Sequence, residues 1–248
     1  LKFRLNFVGI NIQDKAAALH FYRHICGMGV KSSSRPPMLW LETSGMMVEV
    51  FTAKARSDIF SKRTARQAVR PCIHVRSMKT VALSLKKNGV AAAAAEQTAH
   101  GQRMEVEAPD GIHWLLGEGK GFRHAGSLAK AYVGSADLRC IDLRAQLDFF
   151  TRILGLKNIG EFHGQVTLHD PAEGTFLTMQ QFQTDTRGTG YPAQPAFLSL
   201  ATENIKAADE YLRSLGVKVV EPVIKHWFGT DMLILDADQN IIQVIQYK

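Results

Sequence analysis

An internal repeat constrains this chain more than any other feature. The alternating segment Phe7–Ile12 leads to Asp14, a helical stretch from Ala16 to Ile25, and a stop at Gly27-Met28. The same order returns as Leu138–Ile141, Asp142, Leu147 to Phe150 and Gly155-Leu156. Asp14 and Asp142, Phe21 and Phe149, and Gly27 and Gly155 are each 128 residues apart. Two further segments end their helices in Lys-Asn-Gly-Val (Lys87 to Val90) and Ser-Leu-Gly-Val (Ser214 to Val217). Gly89 and Gly216 are 127 residues apart and Asp110 and Asp238 are 128 apart, a difference that one inserted residue explains. A chain with this self-similarity folds as copies of one supersecondary unit.

The unit has a readable physical logic. Its alternating strand buries one face. An amphipathic helix covers that face, through Leu19, Tyr22 and Ile25 in the first unit and Val81, Leu83 and Leu85 in the second. A glycine then ends the helix, where a left-handed backbone costs it little. Three strands follow, including Met38 to Glu42 and Met46 to Phe51 around the Thr43-Ser44-Gly45 turn. The turns Ala108 to Gly111 and Asp236 to Asn240 precede the last strands of units 2 and 4. The expected fold class is α+β, with four βαβββ modules pairing into two cup-shaped half-open barrels. One unit leaves its curved sheet half open, so neighbours are expected to pair: units 1 and 2 within residues 1–122, units 3 and 4 within residues 123–248.

Composition narrows the function classes. Hydrophobic residues make up 46% and charged residues 21% of the 248, which suits a protein with a sizeable core. No apolar run is long enough to span a bilayer, so no membrane role is expected. The first residues alternate instead of forming a basic start and an apolar block, and no targeting segment is read there. Cys26, Cys72 and Cys140 are isolated, which argues against a disulfide framework and for the cytoplasm. The net charge of +7 includes a cluster of Lys54, Arg56, Lys62, Arg63, Arg66 and Arg70, with Phe60 as its one aromatic residue. Without interleaved aromatics this reads as a solvated connector, not a nucleic-acid surface, and acidic or anionic small molecules would be tolerated nearby. No P-loop, G-x-G-x-x-G or G-x-S-x-G motif occurs.

Phe7-Val8-Gly9-Ile10-Asn11-Ile12-Gln13-Asp14 with His20-Phe21-Tyr22 and Cys26-Gly27-Met28, its echo from Asp142 to Leu156, and the Asp110-Gly111 and Asp238 to Asn240 turns carry a resemblance. They resemble the vicinal oxygen chelate superfamily of glyoxalases, bleomycin resistance proteins and extradiol dioxygenases. The resemblance covers nearly the whole chain and implies a glyoxalase-like fold. It also implies metal-ligand positions, one in the first and one in the last strand of each unit. The first-strand positions hold Phe7, Arg70, Ser135 and Phe197, and the last-strand positions hold Glu49, Leu115, Thr178 and Gln243. Glu49 alone keeps the family's carboxylate, so no catalytic metal is expected, nor any other cofactor.

Alternation adds Asn11, His74 and His113 to the first cup and Asp137 and Arg139 to the second. Glu49 and Arg70 are expected to form an ion pair, or Glu49 to await a ligand. Asp137 and Arg139 are expected to hold each other or a polar ligand. A displaced metal site of Glu49, His74 and His113 is the conceivable exception. His20 and His24 stand i, i+4 on the first helix but lack the Glu of H-E-x-x-H. Trp227, in His226-Trp227-Phe228-Gly229, is a candidate for a ligand contact at a cup mouth. The expected function is small-molecule binding, of an aromatic or amphipathic ligand, by a monomer or homodimer. The rival is a metal-dependent lyase or extradiol-type dioxygenase with a displaced site.

Overall fold

The computed structural model describes residues 1–12, 14–32, 38–42, 47–52, 67–98, 101–109, 111–118, 131–170, 174–182 and 196–248. Lys54, Arg56, Lys62, Arg63 and Arg66, the Thr43-Ser44-Gly45 turn and Asp110 lie outside the described residues.

Four βαβββ units follow one another. Unit 1 contains β1 (Phe3–Ile12), α1 (Lys15–His20, continuing as a π-helical turn over Phe21–Ile25), β2 (Gly29–Ser32), β3 (Met38–Glu42) and β4 (Met47–Thr52). Unit 2 contains β5 (Val69–Val75), α2 (Met78–Lys87), β6 (Glu96–Thr98), β7 (Gly101–Glu107) and β8 (His113–Glu118). Unit 3 contains β9 (Ala131–Cys140), α3 (Leu143–Asp148, continuing as a π-helical turn over Phe149–Ile153), β10 (Lys157–Phe162), β11 (Gln165–Asp170) and β12 (Thr175–Gln181). Unit 4 contains β13 (Ala196–Thr202), α4 (Ile205–Ser214), β14 (Val219–Lys225), β15 (Gly229–Leu235) and β16 (Ile241–Tyr247).

Each helix starts on a side chain that accepts from otherwise unbonded backbone N–H groups: Asp14, Ser77, Asp142 and Asn204. The π-helical turns recur at the same place in units 1 and 3. There they set Phe21 edge-on to Tyr22 and Phe149 edge-on to Phe150, with the same 79° between rings. In α2, Met78 and Leu85 are buried whereas Leu83 is 62% exposed, so Leu83 is not the core residue its alternation with Val81 and Leu85 suggested. A 3.6-residue period aligns Met78, Val81 or Ala82, and Leu85; Leu83 falls off that stripe.

Pairing of the units departs from expectation. One sheet has the order β14-β15-β16-β13-β1-β4-β3-β2 and the other β10-β11-β12-β9-β5-β8-β7-β6. Unit 1 therefore shares a cup with unit 4, and unit 2 with unit 3; neighbours in sequence do not pair as halves 1–122 and 123–248. The local pattern cannot choose, because every unit offers the same first-strand edge. The choice lies in side chains that meet only across the seam. Phe197 lies opposite Gly9 across β1 and β13, and Arg70 lies opposite Asp137 across β5 and β9.

The larger apolar core among the described residues draws on all four units. Buried hydrogen bonds tie the two sheets together. Trp114 Nε1 donates to the Tyr22 hydroxyl at 3.2 Å, and the Leu5 amide donates to Asp170 Oδ2 at 2.7 Å.

Candidate functional site

Alternation gives each sheet a face toward the core and a concave face. In the sheet of units 1 and 4 the described part of the concave face is dry. Phe7, Phe197, Leu233, Leu235 and Ile241, each at most 3% exposed, form a separate apolar cluster there, with Val220 and Phe228 packed on it. The Phe197 ring fills the space over Gly9, where a Cβ would stand 2.0 Å from its Cζ. Polar side chains on this face bond to one another. The Ser199 hydroxyl donates to Gln243 Oε1 at 3.1 Å, Gln243 Nε2 donates to Asp231, and Asp231 Oδ1 lies 2.8 Å from His226 Nε2. Glu49 is buried on the same face, and Asn11 is partly buried at its end.

The described part of the concave face of units 2 and 3 is charged. Register places His169, Phe176, Ser135, Cys72, Leu115 and Glu105 in one row across β11, β12, β9, β5, β8 and β7. Thr178, Asp137 and Arg70 lie in the next row. Arg70 Nε donates to Asp137 Oδ2 at 3.1 Å and Arg70 Nη1 to Glu105 Oε2 at 2.7 Å. Arg139 Nη2 donates to both Glu105 oxygens, at 3.0 and 3.1 Å, and His113 Nδ1 lies 3.0 Å from Glu105 Oε1. Arg103 Nη1 stands 3.8 Å from Asp137 Oδ1, which also accepts from Thr178 and Gln165. His74 Nε2 lies 3.2 Å from the Ser135 hydroxyl.

Depth grades this network. The side chains of Arg70 and Asp137 are sealed, whereas Arg103 and Arg139 are about one fifth exposed and His113 is more open. Burial alone would raise the Glu105 carboxyl, but Arg70, Arg139 and His113 outweigh it and hold the group below the ordinary carboxylate range. Arg139 is lowered, first by burial and then by Arg70 beside it. Burial pushes the Cys72 thiol up to about 11, which keeps it protonated and unsuited to act as a nucleophile.

Several expected contacts are corrected by the unit pairing. Glu49 and Arg70 stand in different sheets, so Arg70 pairs with Asp137 and Glu105 instead. Asp137 and Arg139 do not bond each other; Asp137 takes Arg70, and Arg139 takes Glu105 and lies over the Phe182 ring. The displaced trio of Glu49, His74 and His113 is split in the same way, with His74 on Ser135 and His113 on Glu105. His20 and His24 pack ring to ring at 5.2 Å on an exposed helix face. Trp227 is 48% exposed and edge-on to Phe228, which alone of the two packs on the apolar cluster.

Arg103, Glu105, Gln165 and His169 were missed from the sequence. The signal was present in β7, where Met104 and Val106 alternate with Arg103 and Glu105, so that one face is apolar and the other charged.

The ligand positions of the family can be tested against a metal by their chemistry. The cup of units 1 and 4 brings together Phe7, Phe197, Glu49 and Gln243, with one carboxylate among them. The cup of units 2 and 3 brings Arg70, Ser135, Thr178 and Leu115, where a fixed guanidinium charge repels a cation. A transition-metal site takes about three or four N, O or S ligands. Neither set fits one.

These paired βαβββ units define a cup-forming fold. Residues 132–244, which span units 3 and 4, match the family model described as the Glyoxalase/Bleomycin resistance protein/Dioxygenase superfamily. Glyoxalase I from Zea mays superposes with a TM-score of 0.73 at 16% identity, covering 99% of this chain and 92% of that one. A provisionally assigned dioxygenase from Bacillus subtilis subsp. subtilis str. 168 superposes with a TM-score of 0.70 at 14% identity, covering 100% of this chain and 86% of that one. At such identities these likenesses establish the glyoxalase-like fold and leave the reaction open. No curated protein sequence matches the chain.

Proposed function

We propose that the protein binds a small anionic molecule in the cup of units 2 and 3, without the superfamily's metal ion. The supporting observation is the charge arrangement of that cup. Three guanidiniums, Arg70, Arg103 and Arg139, surround two inward carboxylates, Asp137 and Glu105, and Arg103 and Arg139 are about one fifth exposed. Arg103 also holds a third carboxylate of the cluster, Glu96, which is 60% exposed, and an exposed pair contributes little. Guanidinium forks favour planar anions such as carboxylates, and partial burial strengthens the contact.

The metal-dependent lyase or dioxygenase reading needs ligands that converge. Glu49 stands in one sheet and His74 and His113 in the other. We also propose the cytoplasm, the reading that three cysteines isolated in the sequence favour. Among the described residues no helix is long and apolar enough to cross a membrane.

Isothermal titration calorimetry with acetate, benzoate and phosphate tests the anion reading. Binding is expected to weaken with added salt and to fall about tenfold or more in Arg103→Met. No heat with any of the three overturns it. Elemental analysis of protein purified without chelator or added metal tests the other half, and stoichiometric Fe, Zn, Ni or Mn defeats the metal-free reading.

A further inference from the structure

We infer that an anion held by this cup brings a proton with it, bound by His113; the inference rests on the anion reading above and concerns the regulation of that site. Its basis is the set of charges around one imidazole. His113 Nδ1 lies 3.0 Å from Glu105 Oε1, and the same carboxylate accepts from Arg139 Nη2 through both oxygens and from Arg70 Nη1 at 2.7 Å. An ionised carboxylate only accepts, so Nδ1 carries the hydrogen of the neutral ring and Nε2 is the nitrogen that takes a proton. The His113 side chain is 40% exposed, which lets water deliver that proton. Imidazole is the side chain whose ordinary charge change falls near neutral pH.

The charged groups among the described residues pull on the ring in both directions. From β7, Glu105 and Glu107 favour a charged ring; Glu107 lies opposite His113 in register and is exposed. From β5 and β9, Arg70 and Arg139 oppose it across the shared Glu105. On β8 itself the same face carries Leu115 and Gly117, which are uncharged. Gln67 holds the His113 backbone, accepting from its N–H at 2.7 Å and donating to its carbonyl at 2.8 Å. Arg103, the remaining guanidinium, is engaged by Glu96 and stands 3.8 Å from Asp137. Arg70 is sealed whereas Arg139 is about one fifth exposed, so an incoming anion meets Arg139. Its charge cancels part of the field that opposes a charged ring, and it competes with Glu105 for Arg139 Nη2. The protonated ring then takes the share of Glu105 that Arg139 gives up. Anion and proton therefore each strengthen the binding of the other.

Calorimetry of the full chain with benzoate, which stays ionised above about pH 5.5, decides the matter. At about pH 7, heats measured in Tris and in imidazole buffers of equal ionic strength are expected to differ by the uptake of about half a proton per benzoate. Affinity is expected to rise about tenfold from about pH 8.5 to about pH 5.5. His113→Gln keeps an N–H for Glu105; with its fold checked by circular dichroism, it is expected to bind benzoate without proton uptake and within about twofold across that range. In wild type the His113 ring resonance, assigned by its loss in the variant, is expected to change charge at a higher pH when benzoate is present. Benzoate binding with neither uptake nor pH dependence overturns the linkage and leaves the anion reading standing. Uptake that persists in His113→Gln also overturns the linkage, because another group then takes the proton. No binding of benzoate at any pH in the range overturns the anion reading as well.

Discussion

Arg70 and Asp137 face each other across the seam between units 2 and 3, with almost no exposure, and a pair so deep has two-sided energetics. Removing both charges can cost little, whereas removing one strands the other in a poorly solvated place. Arg70→Met is expected to lower unfolding stability by about 3 to 5 kcal/mol, and Arg70→Met with Asp137→Leu by clearly less, as measured by urea denaturation. If the double variant is as unstable as the single one, the pair is not the dominant interaction at this seam. Gly9 occupies the corresponding position in the other sheet, beneath the Phe197 ring. Gly9→Ala is expected to cost about 1 to 3 kcal/mol through overpacking, and Phe197→Leu added to it should recover part of the loss. Both positions were legible as inward-facing from alternation alone. Their partners were not, because no spacing rule says that residue 70 meets residue 137 or that residue 9 meets residue 197.

At the scale of elements, the turn from Asp236 to Asn240 braces the start of α3. Asp236 Oδ1 accepts from the amides of Asp238 and Asn240 at 2.9 and 2.7 Å, and Asp238 in turn accepts from the amides of Ile141 and Asp142. Burial pushes Asp236 up to about 6, against its bonds from Asn240. The native state therefore holds this proton more tightly than the unfolded chain between about pH 4 and 6. Stability from this group is highest at the acid end of that window and declines as pH rises through it, with no further change above. Glu105, held low, works in the opposite sense: its contribution is present above the ordinary carboxylate pKa and is lost as pH falls through its native value. Comparing wild type with Asp236→Asn isolates the first effect. The stability difference between the two is expected to shift by up to about 3 kcal/mol between pH 4 and 7, and a flat difference excludes the elevated Asp236. The turn itself was plain in the sequence as Asp-Ala-Asp-Gln-Asn; its role as a brace for another unit's helix was not, since the brace spans about a hundred residues of chain.

For the whole molecule, the pairing of unit 1 with unit 4 and unit 2 with unit 3 means that each half of the chain owns parts of both sheets. Fragments 1–122 and 123–248 are expected to remain unfolded or aggregate when expressed separately and to form a folded heterodimer when expressed together, as read by size exclusion and circular dichroism. Two monomeric, folded halves would contradict the pairing. The sequence by itself determined the unit, the number of its copies, the α+β class and the phase of every first strand, because periods of 2 and 3.6 and the capping residues act within a few neighbours. Only the tertiary structure decided which units share a cup, that one concave face is filled by apolar side chains and the other by charged ones, and which carboxylate each arginine holds. Those outcomes depend on side chains from different strands, some of them far apart in the chain, meeting across the sheets, and an edge that every unit presents in the same form carries no local signal of the partner it will take.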